Sequence, residues 1–118
     1  MTNNTNATRP VHFYAACWNH GIGCTDSEGN DLCYIKVFKS KVERDAYVEC
    51  NGFRDGHSFA ERVDAPYARK MMQRDVIDAF GGQLDAINDR PEFVGRVHRM
   101  STAELVSEYL VAESYAMD

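Results

Sequence analysis

No apolar run in this chain approaches the roughly 20 residues that a membrane helix needs. A membrane-spanning protein is therefore not expected. The stretch from Met1 to Pro10 is polar and rich in Asn and Thr. It lacks the apolar core of a signal peptide, so export is not indicated either. A cytoplasmic protein with a disordered lead-in over residues 1–10 is the expectation. Positive charge is missing from residues 101–118, which hold Glu104, Glu108, Glu113 and Asp118 and no Lys or Arg. They account for most of a formal net charge of −5. An acidic chain lacks the basic surface that unspecific nucleic-acid binding requires. The same acidity suits a basic protein partner. C-x-x-C is absent, as are internal repeats and low-complexity tracts beyond the lead-in.

What is present suits one globular domain over residues 11–118. The 118 residues are 44% hydrophobic and 26% charged. That is enough chain to bury a core without a disulfide framework. The four cysteines, Cys17, Cys24, Cys33 and Cys50, read as reduced thiols in the absence of an export signal.

Val11 to Trp18 and Leu32 to Phe38 alternate in the manner of strands. The glycine-rich stretch between them predicts a β-hairpin with a long loop. A helix follows at once. Ser40 is placed to accept from the N–H of Glu43, and Glu43 to reach back to the N–H of Ser40, a capping box. Asn51-Gly52 offers a left-handed stop. Within that helix Val42, Ala46 and Cys50 recur every fourth residue and define one face. Ser58 to Val63 is a candidate third strand.

A second helix should start after Asp64, with Pro66 in its first turn, and end at Gly81-Gly82. It should turn the stripe Ala68, Met72, Val76 and Phe80 inward. Asp89-Arg90-Pro91-Glu92 signals a third helix, with a strand over residues 92–100 as the runner-up. Ser101 and Glu104 repeat the capping box before a last helix that should bury Leu105, Val106, Tyr109 and Leu110. The order β-β-α-β-α-α-α makes an α+β domain: a small antiparallel sheet packed with helices, its C-terminal half helical.

Candidate chemistry is sparse. Cys17 and His20 are spaced C-x-x-H, and with Cys24 and Cys33 they could hold Zn²⁺ through three thiolates and an imidazole. Against this, Cys17 and Cys33 fall within strands, where a free cysteine behaves as a small buried hydrophobe. No metal or other cofactor is expected, and the zinc site stands as the alternative. Cys24 is the most exposed candidate nucleophile, but nothing places His12, His20, His57 or His98 beside it as a base. Gly21-Ile22-Gly23 leads into a strand instead of a helix N-terminus, which rules out a phosphate cradle. Asp75 and Asp78, with Asp85 and Asp89, read as a solvated face beside Arg69, Lys70 and Arg74. Two binding surfaces remain. One is the acidic flank of the last helix, Glu104, Glu108 and Glu113. The other is the aromatic set Tyr14, Trp18 and Tyr34 on the hairpin.

The run Tyr14-Ala15-Ala16-Cys17, the turn Gly21-Ile22-Gly23 and the segment Val37 to Val48 together resemble small uncharacterised proteins of bacteriophages and mobile elements. So does Val63-Asp64-Ala65-Pro66-Tyr67-Ala68, and the likeness spans about residues 11–72. The resemblance transfers no catalytic residue. It implies a phage-type protein that blocks bacterial defence, anti-CRISPR proteins included, by occupying the surface of a host protein. That host partner would be a nucleic-acid-binding defence complex, with no direct nucleic-acid or membrane contact. The alternatives are a small enzyme acting on a nucleotide or signalling molecule, and a zinc-stabilised interaction module.

Overall fold

The computed structural model describes residues 12–18, 25, 29, 33–52, 59–82, 84, 85 and 87–116. Among these the chain forms β1 (Phe13–Trp18), β2 (Cys33–Phe38), α1 (Lys41–Asn51), β3 (Phe59–Val63), α2 (Ala65–Gly81), α3 (Arg90–Arg99) and α4 (Thr102–Ala116). The order is the one the sequence predicts, and the fold is α+β. Residues 92–99 are helical, which removes the strand alternative. The lead-in over residues 1–10 lies outside the described residues, as does most of the glycine-rich stretch. The chain divides into two compact units, residues 1–65 and 66–118.

The first unit is built on β1. The strand order is β2-β1-β3, and both pairings are antiparallel. Phe13 stands opposite Phe38, Cys17 opposite Tyr34 and Ala60, and Trp18 opposite Cys33 and Phe59. Because side chains alternate along a strand, Phe13, Ala15 and Cys17 share one face with Tyr34, Lys36 and Phe38. Helix α1 covers that face. The Tyr47 ring lies 5.4 Å from the Phe38 ring, and the Arg44 guanidinium sits 5.7 Å from the ring of Phe13. The other face carries Tyr14, Ala16, Trp18, Cys33 and Ile35, all buried.

The expected face of α1 is wrong. Val42 is 79% exposed, and Ala46 and Cys50 are exposed with it. Arg44 and Val48 are the buried residues, and Tyr47 and Asn51 flank them at helical spacing. Residues 44, 47, 48 and 51 form the stripe that meets the sheet. Counting only apolar residues hides it, because Arg44 is an interior side chain. Its stem packs inward and its Nη1 donates to the Tyr14 carbonyl at 3.3 Å.

The ends of α1 also differ from expectation. Ser40 Oγ accepts from the Glu43 N–H at 3.1 Å, so the cap forms. The Glu43 carboxylate, however, accepts from the Ser40 hydroxyl at 3.2 Å and not from its backbone, which leaves half a capping box. Gly52 is right-handed, at φ −64° and ψ −33°. The left-handed stop is not used. Instead the Asn51 side chain donates to the Tyr47 carbonyl at 2.8 Å, satisfying one of the end carbonyls directly.

In the second unit, α2 begins directly after Asp64 and buries Ala68, Met72 and Val76 of the predicted stripe together with Met71, while Phe80, the last member of the stripe, is only half-buried. Asp89 precedes α3 but makes no side-chain cap. The carboxylate of Asp85 takes the N–H groups of Ile87 and Asn88, each at 2.9 Å. The Asp85 carbonyl accepts from Asp89 and Arg90. The turn itself, and not a capping Asp, therefore launches α3. Ser101 and Glu104 form the complete reciprocal box before α4, at 3.2 and 3.0 Å. Leu105, Val106 and Tyr109 are buried as predicted, but Leu110 is 53% exposed and Ala112 takes the inward position. Position 112 lies seven residues from Leu105 and so returns to its side of the helix, whereas position 110 does not.

Candidate functional site

Helices α3 and α4 meet at the joint Met100-Ser101. Met100 leaves α3 in an extended conformation, and its N–H returns to the Val97 carbonyl at 3.2 Å. Its carbonyl accepts from the Arg69 guanidinium on α2, which holds the corner in place. Ser101 starts the next helix. An open groove of about 560 Å³ runs along the corner, lined by Arg96, Arg99, Met100, Glu104, Ser107 and Glu108.

The charges of this groove follow from helix physics. Arg96 and Arg99 occupy the last turn of α3, where cations meet the negative end of the helix dipole. Glu104 occupies the first turn of α4, at the positive end of that helix. The backbone N–H of Ser101 donates to the Glu104 carboxyl and, with the Ser101 hydroxyl, holds it below the usual carboxylate range. A smaller hollow of about 260 Å³ lies beside Leu84, Asp89, Glu92 and Phe93, and Arg96 lines both. The Arg96 guanidinium sits 5.3 Å from the Phe93 ring.

The acidic flank is therefore only partly as predicted. Glu104 is exposed and Glu108 half-buried along the groove. The flank does not stand alone, since Arg96 and Arg99 line the same groove. Glu113 is absent from the groove lining. Its carboxyl is half-buried, in the neighbourhood of Tyr109 and of Asp75 on α2. Burial, then the neighbouring Asp75, push the Glu113 carboxyl up. Burial also pushes Asp75 up, against the pull of Arg74, whose Nε lies 3.0 Å away. Asp75 is thus not part of a solvated face. Its ion-pair partner is Arg74, the residue before it on α2.

Of the hairpin aromatics, Tyr14 and Trp18 are buried. They project to the sheet face opposite α1. Tyr34 is half-buried on the α1 face, in a cluster with Cys17 and Tyr47. Cys17 Sγ lies 3.8 Å from the Tyr47 hydroxyl. Burial pushes the Cys17 thiol up, and burial together with Cys17 raises Tyr47 well above the ordinary phenol range. These are protonated groups, not nucleophiles.

The alternative zinc site meets a geometric obstacle. Cys17 pairs with Tyr34 while Cys33 pairs with Trp18, so the two thiols project from opposite faces of the sheet. They cannot ligate one ion. His20 and Cys24 lie outside the described residues, as do Gly21-Ile22-Gly23 and His57. Among the described residues no cluster of three His, Cys, Asp or Glu side chains could hold a metal. No helix among them is long and apolar enough to cross a membrane.

Sequence reasoning missed Arg96 and Arg99 as part of the site. Their signal was present: basic residues three apart in the last turn of α3, directly before a helix with glutamates four apart. The nearness of Asp75 and Glu113 had no local signal. Comparison with family models, curated proteins and solved structures finds no match.

Proposed function

We propose that this chain is a small acidic binding protein of phage or mobile-element type. In this reading it acts in the bacterial cytoplasm, without catalysis, by occupying the surface of a host defence protein such as a CRISPR-Cas component. The α3–α4 groove carries the proposal. It is open, and its walls present two exposed arginines beside Glu104 and Glu108. A surface of this kind selects a partner that offers both signs of charge in matching places. A basic side chain of the partner would reach Glu104 and Glu108, and an acidic or carbonyl group would reach Arg96 and Arg99. The net acidity of the chain supports fast encounter with a basic, nucleic-acid-handling partner. The resemblance over residues 11–72 supports the phage assignment.

The test begins with retrieval of partners from a bacterial lysate and identification by mass spectrometry. Binding of the retrieved protein is then titrated against the parent chain and the double variant Glu104→Lys/Glu108→Lys, at low and moderate salt. The expected result is weakened binding and an altered salt dependence in the variant. Unchanged affinity at both salt concentrations rejects the groove as the contact surface. Turnover of a nucleotide by the purified chain would reject the non-enzymatic reading itself.

A further inference from the structure

The two walls of the α3–α4 groove carry opposite charge. Arg96 and Arg99 stand on α3, Glu104 and Glu108 on α4. Both arginines and Glu104 are exposed, and Glu108 is half-buried. The walls nevertheless do not pair with each other. Among the described residues neither arginine makes an ion pair with either glutamate. Met100, half-buried at the joint, adds an apolar side chain to the lining. Val111 extends the α4 wall. It follows Glu108 by three residues and Glu104 by seven, so it lies on their side of the helix, and it is 43% exposed.

Such a groove is complementary to itself. In a two-fold pair the same patch of each copy meets the other. An axis running along the groove, in the plane between the copies, sets α3 of one copy over α4 of the other. Arginines then face glutamates twice, once on each side of the axis. An axis across the groove would set α3 over α3, arginine against arginine. Charge therefore selects the first arrangement.

We propose that the α3–α4 groove is the interface of a homodimer, in which Arg96 and Arg99 of each copy pair with Glu104 and Glu108 of the other. The dimer does not depend on the host-protein reading. It adds a control to it, because one groove takes one occupant and a host protein has to displace the second copy.

The experiment is sedimentation equilibrium of the full chain from about 1 μM to about 1 mM, the range of weak and moderate association. A monomer–dimer equilibrium is expected. Its Kd should rise at least about tenfold between about 0.1 M and about 1 M salt, as the screening length falls from about 10 Å to about 3 Å. Two variants locate the interface, Arg96→Glu/Arg99→Glu and Glu104→Gln/Glu108→Arg. Glutamine at position 104 preserves the cap of α4, since it serves equally in a capping box. Each variant alone should be monomeric, because like charges then face each other. An equimolar mixture of the two should dimerise, because the acidic groove of one meets the basic groove of the other. If a variant does not fold, the salt series of the parent decides. A parent that stays monomeric throughout, a dimer indifferent to salt, folded variants that each dimerise like the parent, or a mixture that stays monomeric overturns the homodimer. The first of these outcomes leaves the groove to a host protein, so it does not touch the host-protein reading.

Discussion

Asp45 on α1 and Arg62 on β3 meet through a 2.8 Å contact from Arg62 Nε to Asp45 Oδ1. The same oxygen accepts from Arg44 Nε, also at 2.8 Å. One carboxylate thus holds the outer end of an interior arginine and fastens the helix to an edge strand. Arg62, then Arg44, holds the Asp45 carboxyl below its usual range. The folded protein therefore favours the ionised form. The contribution is present at neutral pH and is lost as pH falls through the folded-state value. Asp45→Asn should lower the urea midpoint at pH 7, and the gap from the parent should close in acid. Equal midpoints at pH 7 would show that the bridge adds nothing.

The choice of face in α1 gives a sharp contrast. Val48 is 8% exposed and Val42 is 79% exposed. Val48→Ala should cost about 1–3 kcal/mol from lost burial and the space left behind. Val42→Ala should stay within about 0.5 kcal/mol of the parent. Chemical denaturation of both variants measures the difference, and the reverse ranking would restore the apolar stripe 42, 46, 50 as the buried face.

Two serine caps differ in completeness. Ser40→Ala and Ser101→Ala should each cost about 1 kcal/mol, the ordinary value for a lost N-cap. Ser40 should be the more sensitive position, because its hydroxyl makes both bonds there, whereas the Ser101 N–H keeps its bond to Glu104 in the variant. Thermal melts of the two variants under one buffer decide the order.

The placement of Cys17 and Cys33 on opposite sheet faces predicts that chelation is without effect. The melting temperature should coincide with and without a strong chelator, and elemental analysis should find no stoichiometric zinc. One zinc per chain would mean that the ion is held by a set of ligands other than Cys17 and Cys33 together.

Much of the fold was legible because its signals are local. The Ser101/Glu104 box, the alternation of β1 and β2 and the stripe of α2 each lie within one element. The failures share a different cause. Arg44 counts as charged in any apolar tally, yet its stem and its bond to the Tyr14 carbonyl make it an interior residue. Glu113 was grouped with Glu104 and Glu108 by composition. It sits half-buried outside the groove, near Asp75, which is far away in the sequence, and periodicity carries no information about such a neighbour. At the groove, the glutamates were visible, but the arginines facing them were separated from them by the joint at Met100-Ser101.

The central place of β1 has a consequence for synthesis. This strand leaves the ribosome before either of its neighbours, with both hydrogen-bonding edges open. β2 can close one edge as soon as Phe38 is available, but the other waits for Val63. During that interval an apolar strand offers an unpaired edge to any other extended chain. Nascent chains stalled between Phe38 and Val63 should therefore be the aggregation-prone species, and those carried past Val63 should not.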